Sequence, residues 1–267
     1  MIHAVILAVG REILRGRIQD SNSFALARRL TGIGYAVMRA VACDDDLSAI
    51  TREIRRAVQD EATLVIMTGG LGPTDDDMTL LALAEATNHP LILDEEARRL
   101  VAARYAALAQ SGAVEDPRLS PSRQKMARIP RGARALPNPV GAAPGVWLEE
   151  GGTTFVALPG VPAEMIRILD NSVVPELASR SGLAVYRERR ITTLARDESE
   201  VAIVLRRIGR DLPEVFLKSH PTHFGSDVRM QVFASTWAAD PVNAEERLTH
   251  ALGLIRDALG EVASDDR

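Results

Sequence analysis

The chain opens on a continuous run, Ile2 to Val9, that is apolar but for His3 and rich in β-branched residues. Such a run, without polar alternation, predicts a strand covered on both faces. Beyond Gly10 the period changes. Phe24, Ala27 and Leu30 fall on one side of a helix that Asp20 or Ser21 can cap and that Gly32 and Gly34 end. Tyr35 to Ala42 predicts a second strand. Asp46 or Ser48 caps the next helix, whose apolar face is Ile50, Ile54, Ala57 and Val58. Leu64 to Met67 is a third short strand, and Asp77 or Thr79 opens a helix carrying Leu80, Leu83 and Ala84. Short apolar strands joined by amphipathic helices predict an α/β fold, a largely parallel sheet with helices on both faces.

Further along, a helix follows Asp94, with Ala97, Val101, Tyr105 and Leu108 on one side. Ser120-Pro121 is a cap followed by proline at the first helical position. Pro130 to Gly145 reads as an irregular Pro- and Gly-rich loop, and Thr153 to Leu158 as a strand running into Pro159-Gly160-Val161-Pro162. A boundary near Ser179 to Gly182 divides the chain into 1–180, the α/β domain, and 181–267, a smaller α+β domain. The second part reads strand (Arg187 to Leu194), helix (Glu198 to Arg207), strand (Val215 to Ser219), strand (Asp227 to Ser235) and helix (Ala244 to Leu259). Ser264 to Arg267 read as a frayed end.

Composition narrows the classes. The 267 residues are 46% hydrophobic and 25% charged, ordinary for a globular protein with a sizeable core. A formal net charge of −4 lacks the basic excess of a nucleic-acid binder. The clusters Arg187, Arg189, Arg190 and Arg206, Arg207, Arg210 read as solvated faces. One cysteine, Cys43, cannot form an internal disulfide, reads as a small buried thiol and fits a reducing, cytoplasmic setting. Met1 to Val9 lacks the basic lead and cleavage site of a signal peptide, and no apolar run is long enough for a membrane span.

Ligands of parallel α/β sheets bind beyond the carboxyl ends of the strands. Three unusual loops follow strands there: Gly10 to Asn22, Gly69 to Asp77, and Pro159 to Glu164. In Thr68-Gly69-Gly70-Leu71-Gly72-Pro73-Thr74-Asp75-Asp76-Asp77, Gly69, Gly70 and Gly72 remove side chains where main chain must bend or approach a ligand. Successive N–H groups there, with the following helix start, form an anion cradle. The turn is not a Walker A loop, because no Gly-Lys-Ser/Thr follows, nor a Rossmann fingerprint, because Gly10 and Gly16 lack a third glycine. The aspartates would repel a phosphate. A divalent cation between them resolves the conflict, as does an aspartate accepting hydrogen bonds from a pterin or ribose. The bland alternative is that Asp75 to Asp77 cap the next helix.

Five motifs in order carry a family resemblance: Gly10-Arg11-Glu12-Ile13-Leu14-Arg15-Gly16; Asp20-Ser21-Asn22; Thr68 to Thr79; Asn138-Pro139-Val140-Gly141-Ala142-Ala143-Pro144-Gly145; and Leu158-Pro159-Gly160-Val161-Pro162-Ala163-Glu164-Met165. The chain resembles the competence/damage-inducible protein A (CinA) family, without its C-terminal amidohydrolase domain. The resemblance implies a three-layer α/β/α molybdopterin-binding-like fold, with Lys218-Ser219-His220-Pro221 in a unit similar to the family's middle domain. It implies a phosphorylated small molecule held by Gly69, Gly70, Gly72 and Thr74, an important Asp77, and a homo-oligomer, for which a dimer is the expectation. It also implies metal-dependent hydrolysis of a nucleotide diphosphate such as ADP-ribose or FAD. Asp76 and Asp77 would hold Mg²⁺, Mn²⁺ or Co²⁺ and act catalytically. The alternative is a non-hydrolytic binder of molybdopterin or a molybdenum-cofactor biosynthesis protein. Arg11 and Ala142 depart from the family's usual residues.

Other candidates have two readings each. Glu12 is a metal ligand or sugar contact, or an exposed loop carboxylate. Asp20 and Asn22 bind ligand or cap the following helix. Asn138 hydrogen-bonds a base or ribose, or forms an Asx turn. Gly160, in the third loop, allows close approach to a ligand. Glu164 reads as stabilising a helix start, and His220 and His223 as an exposed loop.

Overall fold

The computed structural model describes residues 2–180, 184–222 and 228–262. The chain divides into two compact units, Met1–Thr31 with Tyr35–Ser181, and Gly32–Gly34 with Gly182–Arg267. Among the described residues no helix is long and apolar enough to cross a membrane.

In the larger unit the chain runs β1 (Ile2–Val9), α1 (Arg11–Leu14), α2 (Ser21–Gly32), β2 (Tyr35–Cys43), α3 (Leu47–Gln59), β3 (Leu64–Thr68) and α4 (Thr79–Ala86). It continues through β4 (Leu91–Leu93), α5 (Glu95–Gln110), α6 (Pro121–Lys125), β5 (Arg128–Pro130), β6 (Arg134–Leu136) and β7 (Gly145–Glu150). The unit closes with β8 (Thr153–Leu158), α7 (Pro162–Ile168), a π-helical turn (Leu169–Val173) and α8 (Val174–Ala178). The main sheet has the order β2-β1-β3-β8-β7-β6. β2, β1, β3 and β8 are parallel, whereas β7 runs against both β8 and β6.

Ala4 to Val9 and all of β3 and β8 are buried, as expected of strands covered on both sides. Val5, Leu7, Val65 and Met67 share one core with Ile50 and Ile54 of α3, Leu80 and Leu83 of α4, and Ala97 and Val101 of α5. The alternate positions Ala4, Ile6, Ala8 and Ile66 are equally buried, as are Leu26 and Leu30 of α2 and Met165 and Ile168 of α7. Asp46 and Ser120 cap their helices through Ala49 and Arg123, as the sequence predicts, and Asp94, which the sequence places just before a helix, caps it through Ala97.

Two expectations differ from the structure. Pro130 to Gly145 is not wholly irregular, because Arg134–Leu136 pairs with β7, itself absent from the pattern reading. Strands of three residues, such as β4 and β6, are too short to show a period. The second is the alternative that Asp75 to Asp77 cap α4, which the missing side-chain cap excludes. α4 begins at Thr79, one of the two starts the sequence offers, and the Thr79 hydroxyl turns back to Gly69 O (2.7 Å).

The smaller unit is β9 (Val185–Thr192), α9 (Glu198–Asp211), β10 (Val215–Pro221), β11 (Met230–Ala238) and α10 (Pro241–Leu259). Its antiparallel sheet has the order β10-β11-β9. Val201, Leu205 and Ile208 of α9 and Leu248, Leu252 and Ile255 of α10 pack on Ile191, Val215, Val232 and Ala234. The arginines of both clusters are exposed. His220 sets its ring edge-on to Phe233. His223, Asp227 at the expected start of β11, Ser181 and Gly182 at the expected boundary, and Ser264 to Arg267 lie outside the described residues.

Candidate functional site

Beyond the carboxyl ends of β1, β3 and β8 lies a cleft of about 500 Å³. The three loops singled out in the sequence meet there. Glu12, Asp20, Asn22, Gly69, Gly70, Gly72, Asp76, Asp77 and Gly160 all line it. Thr74 and Asn138 do not.

The floor is built from main chain. Gly69 (φ +99°) donates its N–H to Leu158 O (3.0 Å), and a Cβ there would meet Val9 O at 2.1 Å. Gly70 (φ +67°) would place a Cβ 2.4 Å from the Thr79 hydroxyl. Glycine is therefore required at both positions by backbone conformation and by close approach. Among the described residues no hydrogen bond engages the N–H groups of Gly70, Leu71 or Gly72. All three residues line the cleft.

Asp77 closes the turn. Its Oδ2 accepts from Thr74 N (2.9 Å) and from the Thr74 hydroxyl (2.6 Å). Thr74 thus shapes the bend rather than facing the cleft, and its carbonyl accepts from Lys125 Nζ. Asp76 is exposed, and its pKa is lowered by the nearby Thr74 hydroxyl, then by its own N–H, with help from Lys125 and Arg11.

Asn22 is the cross-tie between loops. It is buried at the start of α2 and donates Nδ2 to Thr68 Oγ1 (2.9 Å) and to Gly160 O (2.8 Å). A carbonyl partner fixes which end of the amide is the donor. The Thr68 hydroxyl passes its own proton to Pro159 O (3.0 Å). Asp20 caps α2 through Ser23 N (2.9 Å), the capping alternative, and also lines the cleft.

Asn138 is spent on its own loop and on the first turn of α7. Its Oδ1 accepts from Val140 N and Gly141 N, and its Nδ2 donates to Ala143 O and Glu164 Oε2. That is the Asx-turn alternative, with all four amide bonds used. Glu164 accordingly anchors this loop from the first turn of α7.

Pattern reading missed Asp45, which also lines the cleft. It accepts from Arg11 N (2.8 Å). The available signal was an acid run, Asp44-Asp45-Asp46, at the exit of the strand beside β1. Arg11 itself turns to Asp44 (Nε–Oδ1 2.7 Å) and is absent from the cleft lining. Ala142 packs partly buried against the core. Cys43 is buried, and its thiol is pushed up to about 11, first by burial and then by Glu53, Asp45 and Asp44, so it stays protonated at neutral pH.

The pKa of Asp45 is raised, first by burial and further by Glu12, Asp76 and Asp44, against the lowering effect of the Arg11 N–H. The folded state then holds this proton more tightly than the unfolded chain. The charged carboxylate costs stability above its raised pKa, and acidification through that pKa relieves the cost. Asp45→Asn, whose amide oxygen can still accept from Arg11, is expected to stabilise the protein by about 0.5 kcal/mol at pH 7, solvent screening included. The gain should disappear near pH 4. Urea unfolding at both pH values measures it, and a destabilised variant at pH 7 would refute the assignment.

Five carboxylates line the cleft, those of Glu12, Asp20, Asp45, Asp76 and Asp77, and no Lys, Arg or His does. Oxygen donors of this kind suit a hard divalent cation. Among the described residues, no three His, Cys, Asp or Glu side chains form a group able to hold a metal ion. Asp76 and Asp77 fit such an ion only with further oxygens from a ligand or water, a common arrangement for Mg²⁺.

Residues 5–179 match the family described as probable molybdopterin binding domain. Protein PAE0875 of Pyrobaculum aerophilum is 39% identical over 244 residues, covering 90% of this chain and 89% of its own. A protein of Pyrobaculum calidifontis is 40% identical over 252 residues, covering 93% and 92%. The crystal structure of the protein CinA, of unknown function, from Thermoplasma acidophilum is 37% identical, with a TM-score of 0.59, over 66% of this chain and 98% of that one. The glycine bend, the cleft beyond the parallel strands and the span of the match agree, and the chain belongs to the probable molybdopterin binding domain family.

Proposed function

We propose that the cleft binds a phosphorylated pterin- or nucleotide-like small molecule. The observation carrying this reading is the set of three consecutive cleft-lining residues, Gly70 to Gly72, whose N–H groups have no acceptor among the described residues. Amides in this state are poised for phosphate oxygens. The surrounding carboxylates make a bare phosphate a poor guest, so the phosphate arrives with a divalent cation. Asp76 and Asp77 would hold that ion, which neutralises diphosphate charge and activates water when bound. The finer reading is hydrolysis of a nucleotide diphosphate such as ADP-ribose or FAD, with Asp76 and Asp77 as its catalytic residues. The family's description supports the second reading, a molybdopterin binder or molybdenum-cofactor biosynthesis protein without turnover. Either protein would work as a homo-oligomer, a dimer in the simplest case.

Titration calorimetry with ADP-ribose in Mg²⁺, Mn²⁺ or Co²⁺ tests the binding. Chelation by EDTA is expected to weaken it at least about tenfold, or 1.4 kcal/mol. Equal affinity with and without metal would refute the cation-bridged mode. Release of AMP that vanishes in Asp77→Asn favours the hydrolase. Tight molybdopterin binding with no turnover of ADP-ribose or FAD favours the binder.

A further inference from the structure

A second hollow, of about 500 Å³, lies along α3 and shares no lining residue with the cleft. Thr51, Arg52, Arg55 and Arg56 of α3 line it, with Asp60 just beyond the end of that helix and Glu85 of α4. Residues three and four apart are neighbours on a helix surface, so Arg52 has both Arg55 and Arg56 beside it. Like charges so placed repel each other and weaken the helix. The acids of the hollow relieve this unevenly. Asp60 is held by Arg39 of β2 (Nη2–Oδ2 3.1 Å). Glu85 is met by Arg55, which lies 3.8 Å from its carboxylate and donates to its carbonyl (3.1 Å). Arg52 reaches only the Glu53 carboxylate, at 4.0 Å. Among the described residues Arg56 makes no ion pair and no side-chain hydrogen bond.

Thr51 is an independent sign of a ligand. It is 2% exposed, it lines the hollow, and its hydroxyl has no hydrogen-bond partner among the described residues. Other buried threonines of the same unit spend theirs: the hydroxyls of Thr68, Thr79 and Thr153 donate to main-chain carbonyls. A buried hydroxyl without a partner costs free energy that a ligand oxygen would recover. Guanidinium forks match phosphate oxygens and are at their strongest on a charged acceptor. A carboxylate offers two oxygens in one plane. A phosphate offers oxygens around a centre, which suits donors converging from one turn of helix.

We infer that Thr51, Arg52 and Arg56 form a second anion site, which takes a phosphate dianion, free or as the monoester end of a small molecule. The site is separate from the cleft and calls for no divalent cation, so its failure would leave the reading of the cleft untouched.

The test is a phosphorus-31 NMR titration of the full chain in EDTA, which removes the cation that phosphate needs in the cleft. The probes are inorganic phosphate and glycerol 3-phosphate, against chloride at matched ionic strength. At least one is expected to bind with a Kd of about 1 mM or tighter, and the tighter of the two tells a free phosphate from a monoester. The double variant Arg52→Gln, Arg56→Gln removes only exposed cations and should weaken binding about tenfold or more. Thr51→Val should weaken it about threefold and leave the unliganded protein no less stable, because the hydroxyl has no partner to lose. With ADP-ribose in Mg²⁺ both variants should match the wild-type protein. The inference is overturned if neither probe binds above the chloride background, if the double variant binds like the wild type, or if Thr51→Val does.

Discussion

Gly69→Ala is expected to lower the stability of the protein by about 3 kcal/mol and to abolish ligand binding. Two costs fall on one methyl group. The left-handed backbone, φ +99°, is strained for any side chain. The added Cβ would also lie 2.1 Å from Val9 O, a main-chain atom at the end of buried β1. A flexible side chain could step aside, but this carbonyl belongs to a strand flanked by β2 and β3. Relief must come from moving the Gly69 bend, which would break its hydrogen bond to Leu158 O and shift Gly70 to Gly72. Urea unfolding followed by far-ultraviolet circular dichroism gives the stability change. A loss below about 0.5 kcal/mol, the scale of an ordinary surface substitution, would show that the bend accommodates a side chain freely.

Asn22→Ala is the second large effect, at about 2 kcal/mol. The amide serves two acceptors, Thr68 Oγ1 at the end of β3 and Gly160 O on the loop that follows β8. Its removal leaves a buried hydroxyl with one partner fewer and frees the segment carrying Val161. Ligand affinity should fall with it, because Asn22 and Gly160 both line the cleft. Asn22→Asp separates hydrogen bonding from shape. It keeps the volume, loses the donor and places a carboxylate against the Gly160 carbonyl, so at pH 7 it should cost more than Asn22→Ala. Wild-type stability in Asn22→Asp, with Asn22→Ala destabilised, would mean that the cross-tie contributes through packing alone.

Much of this architecture is legible from one dimension. Ile2–Val9, Leu64–Thr68 and Thr153–Leu158 are dominated by apolar residues without polar alternation because Ala4–Val9, β3 and β8 are covered on both faces, and that burial leaves a visible trace. Caps at Asp46, Asp94 and Ser120 are equally visible because they act within three residues. The three-residue strands and the reversed β7 left no comparable trace. Their pairing partners are chosen by neighbours, not by their own residues.

The chain by itself determined the parallel core, the glycine bend and the three loops beyond the strand ends, because these depend on local conformation and on burial that repeats with a period. The tertiary structure alone decided which polar groups work inside the protein and which stay open to a ligand. Asn138 and Thr74 spend their groups within the protein, whereas Asp45, unremarkable in an acid run, reaches the cleft. Hydrogen bonds between segments far apart in sequence depend on where folding brings each partner. A residue's type sets the bonds it can make, and only its neighbours in space set the bonds it does make.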